Sequence, residues 1–243
     1  MSGELHWLDP TDPPDSFPDP HLALREPDGL LAVGGDLTPE RLLAAYRRGI
    51  FPWFQDDQPI LWWSPDPRAV LFPAEIRISR SLRRTLRRGT FEVSVNQDFA
   101  GVIAGCAADR DQPGTWITED MLHAYSDLHR SGHAHSIETW RDGELVGGLY
   151  GVSMGGVFFG ESMFARETDA SKVALTQLTG LRRELGIELI DCQVASAHLA
   201  SLGARQISRV EFQERLRRLT PYPAPRNWTR PASGTSGLCA FDA

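Results

Sequence analysis

The 243-residue chain lacks the features of several broad protein classes. No apolar run approaches the roughly 18 to 20 residues that a membrane-spanning helix requires, and the N-terminus has no basic, apolar and small-residue signal pattern. The three cysteines, Cys106, Cys192 and Cys239, are unevenly spaced and form no CxxC pair. This spacing favours reduced thiols over a disulfide framework or a zinc site. We therefore expect a cytoplasmic protein with no membrane partner.

The composition is that of an ordinary soluble protein, with 41% hydrophobic and 23% charged residues. At this length the chain can form one large domain or two small ones. The net charge of −7 argues against a general nucleic-acid binder, although net charge averages over surface that can be locally basic.

The stretch 145–193 organises the predicted fold. Residues 145–154 and 157–164 are rich in β-branched, aromatic and small side chains, and Gly155-Gly156 between them is typical of a tight hairpin turn. Asp169 or Ser171 can cap a following helix, which Gly186 ends. The apolar positions of that helix are Val173, Leu175, Leu178 and Leu181.

Residues 187–194 then read as a buried strand that Asp191 and Gln193 interrupt. Side chains two apart on a strand point to the same face, so these two should project together. A carboxylate and an amide on an apolar strand need either partners or a substrate. Cys192 between them is expected to face the other way as a small core residue.

This order of hairpin, helix and strand is that of the second half of an acetyltransferase-like (GNAT) fold. There the pyrophosphate of the acyl donor sits on glycine-rich backbone at the start of the helix, where free N–H groups attract anions. Here the turn at residues 166–171 has no glycine and two carboxylates. The sequence therefore suggests an acyltransferase scaffold with a donor other than coenzyme A.

The N-terminal third is organised differently. Residues 1–29 are acidic and proline-rich, which predicts turns and extended chain, and a helix over 38–48 follows with Thr38 as its cap. Residues 50–70 are rich in aromatic residues and show no regular pattern. Their tryptophans either pack at the interface between two domains or stack on a substrate. We predict an N-terminal domain over 1–66, a catalytic domain over 67–220 and a flexible tail over 221–243.

An arginine-rich segment over 77–88 contains no acidic residue. Ser79 or Ser81 can cap a helix there, and the arginines follow helical i, i+3, i+4 spacing. The stripe is either a track for nucleic-acid phosphates or a solvated face. Its members are Arg77, Arg80, Arg83, Arg84, Arg87 and Arg88.

The remaining elements are predicted from shorter patterns. Strands are expected over 91–95 and from 133 to 145, and helices over 99–107, 121–129, 196–203 and 209–219. His133 and His135 share one face of a predicted strand, but no third ligand stands at a conventional spacing, so we expect no metal site.

Long motifs in a fixed order carry a family resemblance. They are LREPDGLLAVGGDLTPERLLAAYRRGIFPWF, ILWWSPDPRAVL, GTWIT, GHAHSIE, LVGGLYGV, GESMF, ASK, LIDCQV and ASLGA. Together they resemble the leucyl/phenylalanyl-tRNA–protein transferase family over nearly the whole chain, from Leu24 to Leu219. The resemblance implies an α+β fold in which a GNAT-like mixed-sheet domain follows a smaller N-terminal α/β domain. It also implies transfer of Leu or Phe, and perhaps Met, from tRNA to the N-terminal Arg or Lys of proteins, which marks them for N-end-rule degradation.

The family's functional residues fall on identifiable positions of this chain. The catalytic pair falls on Asp191 and Gln193, and no cofactor is implied. The matching substrate positions are Trp53, Trp116, Glu161, Tyr46, Tyr125, Phe158, Leu149 and Leu178, and the arginine stripe becomes the tRNA contact. Family members carry phenylalanines in the helix after ASK where this chain has Leu178 and Arg182. We expect a monomer.

The implied chemistry needs mainly positioning, because an aminoacyl-tRNA ester is already activated. Gln193 would hold the amine proton while Asp191 orients the glutamine, and nearby carboxylates would suit a cationic first side chain. The alternative enzyme is an acetyl-CoA-dependent N-acetyltransferase on the same fold. A non-enzymatic tRNA-binding module is the third possibility.

Overall fold

The computed structural model describes residues 5–108, 117–221 and 228. Its strands are β1 (His6–Leu8), β2 (Leu30–Gly34), β3 (Phe51–Pro52), β4 (Leu61–Trp63), β5 (Arg68–Leu71), β6 (Glu92–Val95), β7 (Ala134–Arg141), β8 (Glu144–Met154), β9 (Val157–Ala165), β10 (Leu189–Gln193) and β11 (Arg205–Ile207). Its α-helices are α1 (Pro39–Arg47), α2 (Arg80–Arg88), α3 (Phe99–Ala108), α4 (Glu119–Arg130), α5 (Ala170–Gly180), α6 (Arg182–Leu185), α7 (Ala197–Ser201) and α8 (Arg209–Leu219).

The strands form two sheets, a small one from the N-terminal part of the chain and a large one from the rest. The small sheet has the order β1-β2-β4-β3, and the large sheet has the order β11-β5-β10-β9-β8-β7-β6. In the large sheet β9 and β10 are parallel, whereas the other neighbours are antiparallel. The predicted class, a mixed-sheet domain preceded by a smaller α/β unit, is confirmed. The boundary at residues 66 and 67 stays a prediction.

The predicted hairpin joins β8 to β9 through Gly155-Gly156, with Met154 opposite Val157. Gly155 has φ +56°, a left-handed conformation that costs glycine little. The chain then passes through α5 and returns as β10 beside β9, which is the parallel crossover expected of an acetyltransferase-like fold.

Thr38 and Asp169 occupy the predicted N-cap positions of α1 and α5, but neither side chain makes the capping hydrogen bond. Asp169 precedes α5 with φ +71° and makes no cap bond; its carboxylate instead accepts from Thr85 Oγ1 at 3.0 Å and Lys172 Nζ at 2.8 Å. Thr38 precedes α1 and donates its hydroxyl to Asp36. The predicted helix after residue 169 also divides into α5 and α6 before Gly186 ends it at φ +64°.

The aromatic segment 50–70 is less irregular than predicted, since it contains β3, β4 and the start of β5. Trp62 in β4 is fully buried, and its indole N–H donates to the carbonyl of Gly34 at 2.9 Å. Strands this short show no alternating pattern, which is why the sequence did not reveal them.

The predicted loose tail over 221–243 is wrong at Trp228, which is only 4% exposed. Its ring stacks on His135 at 4.1 Å, and Asn96 donates its amide to the Trp228 carbonyl at 3.3 Å. His135 thus has the structural partners expected of a strand histidine. Residues 222–227 and 229–243 lie outside the described residues.

Strand alternation divides the core between the two faces of the large sheet. Leu189 and Phe159 pack on the face that α1 and α4 help to cover, with Tyr46 and Tyr125. Ile190 and Cys192 belong to the other face, where α2 and α5 pack. Asp191 is paired with Phe159 and therefore lies on the face of the sheet that packs against the two tyrosines. Within the part of the chain described, no helix has the length and apolar character needed to span a bilayer.

Candidate active site

A buried carboxylate on β9 contacts two tyrosines from different helices. Glu161 Oε1 lies 2.8 Å from the hydroxyl of Tyr46 on α1, and Oε2 lies 2.7 Å from that of Tyr125 on α4. The two hydroxyls are themselves 2.5 Å apart. Both tyrosines are fully buried and Glu161 is 8% exposed, so the cluster joins the N-terminal unit to the large sheet.

Asp191 on β10 forms a buried ion pair with Arg68 on the adjacent strand β5. Arg68 Nε donates to Oδ1 at 2.8 Å and Nη2 donates to Oδ2 at 2.7 Å, and both side chains are at most 1% exposed. The guanidinium lies between two rings, with Cζ 4.6 Å from the centroid of Phe51 and 4.7 Å from that of Phe212. The partner that a buried Asp191 requires is therefore within the protein.

Gln193 ends β10 at a register shift and has φ +60°, a conformation uncommon for a residue other than glycine. Its backbone N–H donates to Asp191 Oδ1 at 2.9 Å, and its side-chain Nε2 donates to Glu161 Oε1 at 3.0 Å. Asp191 thus holds the Gln193 backbone, while Glu161 contacts the amide. The predicted role of Asp191 in orienting the glutamine stays a prediction, and the contact through which it would act is the backbone N–H of Gln193.

Burial changes the acid–base properties of the cluster. Desolvation raises the pKa of Glu161 to about 7, although hydrogen bonds from the tyrosines oppose the shift. Burial, followed by the charge of Glu161, raises the pKa of Tyr46 and of Tyr125 well above the ordinary phenol value. Burial also raises the pKa of the Cys192 thiol to about 12, so Cys192 is not a nucleophile at neutral pH.

An apolar cavity of about 250 Å³ opens beside the cluster. Its walls bring together six of the predicted site residues, namely Leu149, Phe158, Leu178, Glu161, Asp191 and Gln193. The size and the apolar part of the lining suit a single side chain.

Of the two tryptophans predicted at the aminoacyl end, Trp53 is not a wall of this cavity. Trp53 is 44% exposed, and its ring lies 5.7 Å from that of Trp63. Trp116 lies outside the described residues. Arg182 does not line the cavity either, since its guanidinium donates to the carbonyl of Thr179 at 3.1 Å.

The arginine stripe is the exposed face of α2. Ser79 caps the helix by accepting from the backbone N–H of Leu82 at 3.1 Å, and Leu82 and Leu86 are buried on its other side. Arg77 precedes the helix and is exposed. A surface depression of about 360 Å³ is lined entirely by arginines, namely Arg80, Arg83, Arg84, Arg87 and Arg88. The predicted helix and shared face are confirmed.

Arg68 was not identified from the sequence. Its signal was indirect: an arginine opens an otherwise apolar strand, while a buried strand elsewhere carries an aspartate without a visible partner. The two are separated by 123 residues, and only the pairing of β5 with β10 brings them together.

Two family models match the chain: leucyl/phenylalanyl-tRNA protein transferase over residues 70–217, and the N-terminal domain of that protein over residues 35–66. The chain belongs to the leucyl/phenylalanyl-tRNA–protein transferase family. A transferase of this name from Nitrosospira multiformis is 59% identical over 85% of this chain and 89% of its own. One from Pseudomonas entomophila is 57% identical over 93% of this chain and 100% of its own.

The predicted family and its aminoacyltransferase class are thus confirmed, and the acetyl-CoA-dependent alternative is not favoured. Among solved structures, a GCN5-related N-acetyltransferase from Kribbella flavida is 14% identical, with a TM-score of 0.38, and covers 70% of this chain and 61% of its own.

Removing Arg68 should strongly destabilise this transferase-family protein, because it leaves the Asp191 charge buried and unpaired. For Arg68→Ala we expect a loss of about 3–5 kcal/mol in the free energy of unfolding, measured by urea denaturation. The double variant Arg68→Met/Asp191→Leu should lose less than the two single variants added together. Arg130→Ala, at a surface pair with Asp127, is the control and should cost under about 1 kcal/mol. If the stability lost by the double variant equalled the sum of the losses of the two single variants, Arg68 and Asp191 would not be energetically coupled.

Proposed function

We propose that the protein transfers leucine or phenylalanine from aminoacyl-tRNA to an N-terminal arginine or lysine of a protein, in the cytoplasm and as a monomer, and so marks that protein for degradation. The observation that best supports the proposal is the position of Gln193, which lines an apolar cavity and whose amide contacts the buried Glu161. The relatives named above support the reaction class, and the donor and acceptor identities follow from the family resemblance.

The reaction requires a neutral amine close to the ester carbon. An α-amine has a pKa near 8, so a useful fraction is uncharged at neutral pH. Nε2 of Gln193 donates to Glu161, and within the described part of the chain no hydrogen bond engages the amide oxygen, which can therefore accept a hydrogen bond from the attacking amine. The new C–N bond forms as the bond to the ribose oxygen breaks, and one amine proton is delivered to the departing ribose oxygen, directly or through water. Holding the reactants together supplies most of the rate.

The cavity walls support selection of the donor by the fit of its side chain. Leu149, Phe158 and Leu178 present apolar surface, and the volume of about 250 Å³ accommodates leucine or a phenyl ring. One missing methylene in such a pocket is worth roughly 1–3 kcal/mol. Leucine should therefore be preferred to valine.

The carboxylates give little support to the expected contact with a cationic acceptor side chain. Asp191 uses both of its oxygens on Arg68, and Oδ1 also accepts from the backbone of Gln193. Glu161 is bound to Tyr46, Tyr125 and Gln193. Recognition of the acceptor arginine or lysine must therefore use other groups.

The start of α5 supports a donor other than coenzyme A. Glu167 pairs with Arg141 at 2.6 Å and Asp169 pairs with Lys172 at 2.8 Å, so two carboxylates occupy the turn where a pyrophosphate would bind. Negative charge at this helix start disfavours an anionic ligand.

Leucyl-tRNA, phenylalanyl-tRNA, isoleucyl-tRNA and valyl-tRNA competing for one Arg-initiated peptide test the proposal directly. We expect transfer of leucine and phenylalanine, with valine and isoleucine disfavoured by about 10- to 200-fold, as measured by mass spectrometry of the peptide. The same peptide with acetyl-CoA should stay unmodified. Acetylation, or equal use of leucine and valine, would contradict the assignment.

Gln193→Ala and Asp191→Ala should each reduce transfer far more than they reduce tRNA affinity, because Gln193 is proposed to contact the reacting groups and Asp191 holds the backbone of Gln193. We expect losses of at least about 100-fold in single-turnover rate, in line with general acid–base and positioning effects. Circular dichroism checks that each variant is folded, and Arg130→Ala is the matched control. Wild-type rates for either site variant would remove the role proposed for that residue.

Replacing Arg83, Arg84 and Arg87 with alanine should weaken tRNA binding and reduce its dependence on salt. Each phosphate contact that is lost lowers the slope of log affinity against log salt by about one. The control removes the same charge from exposed arginines elsewhere, at Arg130, Arg183 and Arg217, and should leave the slope unchanged. Equal slopes for both triple variants would mean that α2 is only a solvated face.

A further inference from the structure

The three oxygen contacts among Tyr46, Tyr125 and Glu161 form a closed ring. Tyr46 Oη and Tyr125 Oη are 2.5 Å apart, Tyr46 Oη is 2.8 Å from Glu161 Oε1, and Tyr125 Oη is 2.7 Å from Glu161 Oε2. Each distance is that of an O–H···O hydrogen bond. Each bond requires a proton between its two oxygens, so the ring requires three protons.

An ionised Glu161 leaves the ring one proton short. Each phenol carries a single proton and a carboxylate carries none. Two phenolic protons can serve only two of the three contacts, and the third pair of oxygens would then face each other lone pair to lone pair. A neutral Glu161 supplies the missing proton, because a protonated carboxyl group both donates and accepts.

The contact with Gln193 fixes where that proton resides. Glu161 Oε1 accepts from Gln193 Nε2 at 3.0 Å and from Tyr46, so it is the acceptor oxygen. The proton therefore lies on Oε2, which donates to Tyr125. Tyr125 then donates to Tyr46, and Tyr46 donates back to Oε1. In this arrangement each phenol oxygen donates once and accepts once, Oε2 donates once, and Oε1 accepts twice.

A second buried carboxylate in the same sheet shows the opposite pattern. Glu138 is fully buried and accepts from the hydroxyls of Ser94 and Ser136 and from the backbone N–H of Asp98. Trp140 donates to Ser94, which leaves the Ser94 proton for Glu138. Each contact of Glu138 has its own donated proton, so no additional proton is required there.

We propose that Tyr46, Tyr125 and Glu161 form a proton-holding ring that keeps Glu161 neutral in the active enzyme, and that this ring positions Gln193 with its amide oxygen toward the attacking amine. The three are positioning residues, and Gln193 is the group that touches substrate. This inference rests on the proposed aminoacyl transfer and deepens it.

The charged groups around Glu161 are compatible with a neutral acid. Tyr46 faces it from α1 and Tyr125 from α4, with Tyr150 of β8 near both phenols. Asp191 of β10 opposes ionisation and Arg68 of β5 favours it, but these two charges are joined by two hydrogen bonds. Burial is the largest influence and raises the pKa of Glu161 to about 7.

A neutral Glu161 serves the reaction by leaving the amine uncharged. A free carboxylate beside the amine would stabilise ammonium and raise its pKa, which would remove the nucleophile. The ring holds the Gln193 amide without adding negative charge, and the Asp191 charge is already matched by Arg68. The site thereby orients an amine without attracting a proton to it.

Glu161→Gln and Glu161→Ala provide the test. Glutamine reproduces the neutral ring, with its amide N–H₂ in place of the protonated Oε2, whereas alanine removes the ring. The first measurement is thermal stability from pH 5 to pH 8. A carboxyl group whose pKa rises from 4.5 to about 7 on folding binds more protons in the folded state, so wild-type stability should fall as pH rises through this window.

Glu161→Gln has no such proton to lose, so its melting temperature should rise relative to wild type by about 5 to 10 °C across the window. Glu138→Gln is the matched control and should show no such pH-dependent gain. An infrared carboxylic-acid C=O band at pH 5.5 should be present in wild type and absent from Glu161→Gln. The proton-holding ring would be ruled out if the difference in melting temperature between wild type and Glu161→Gln did not change with pH. It would also be ruled out if the infrared band were the same in both proteins.

The second measurement is leucine transfer at pH 6, below the pKa of about 7 at which Glu161 loses its proton. Glu161→Gln should transfer at least about ten-fold faster than Glu161→Ala, since it retains the neutral ring. Equal rates for the two variants, at equal tRNA affinity, would overturn the positioning role, because a neutral amide would then serve no better than the absence of the side chain. Absence of leucine transfer by wild-type protein would instead contradict the proposed function, and the stability and infrared measurements would still decide the protonation of Glu161.

Discussion

The buried ion pair between Arg68 and Asp191 is the constraint on which the site depends. Two charges taken out of water are tolerated only with close mutual geometry, and here each is at most 1% exposed. Phe51 from the small sheet and Phe212 from the last helix enclose the guanidinium. The pair therefore fixes three distant parts of the chain together. Asp191, once held, accepts the backbone N–H of Gln193 and stabilises the unusual end of β10.

The electrostatic character of the site follows from that pair. Arg68 matches the charge of Asp191, so the strand end carries little net charge although it lies among carboxylates. Tyr46 and Tyr125 occupy both oxygens of Glu161 from the opposite side. The cavity is lined by apolar side chains together with Glu161, Asp191 and Gln193, and the two carboxylates are engaged by the tyrosines and by Arg68. The basic surface of α2 is exposed and shares no lining residue with this cavity.

Sequence reasoning succeeded where the signal was local. The Gly155-Gly156 hairpin, the arginine helix and the helix α8 follow from turn chemistry and periodicity within a short window. It failed where a polar side chain has several possible partners, since Asp169 accepts from the side chains of Thr85 and Lys172 and not from the backbone N–H groups of α5. It also missed the short strands β1, β3, β4, β5 and β11. The sequence indicated that Asp191 needs a partner, but it did not indicate that Arg68 is that partner. Pairing between strands from distant segments produces no periodic pattern in the sequence.

The order of the site residues along the chain has a consequence for biosynthesis. Tyr46 and Arg68 emerge from the ribosome early, Glu161 and Gln193 late, and Phe212, which covers the second face of the Arg68 guanidinium, almost last. In a nascent chain, Arg68 is therefore synthesised before its counter-ion Asp191 and before Phe212, the second ring that packs on its guanidinium. Chains released before residue 212 would hold an incompletely shielded charge at the centre of the fold. Premature termination should thus yield material that proteases remove rather than an enzyme of reduced activity.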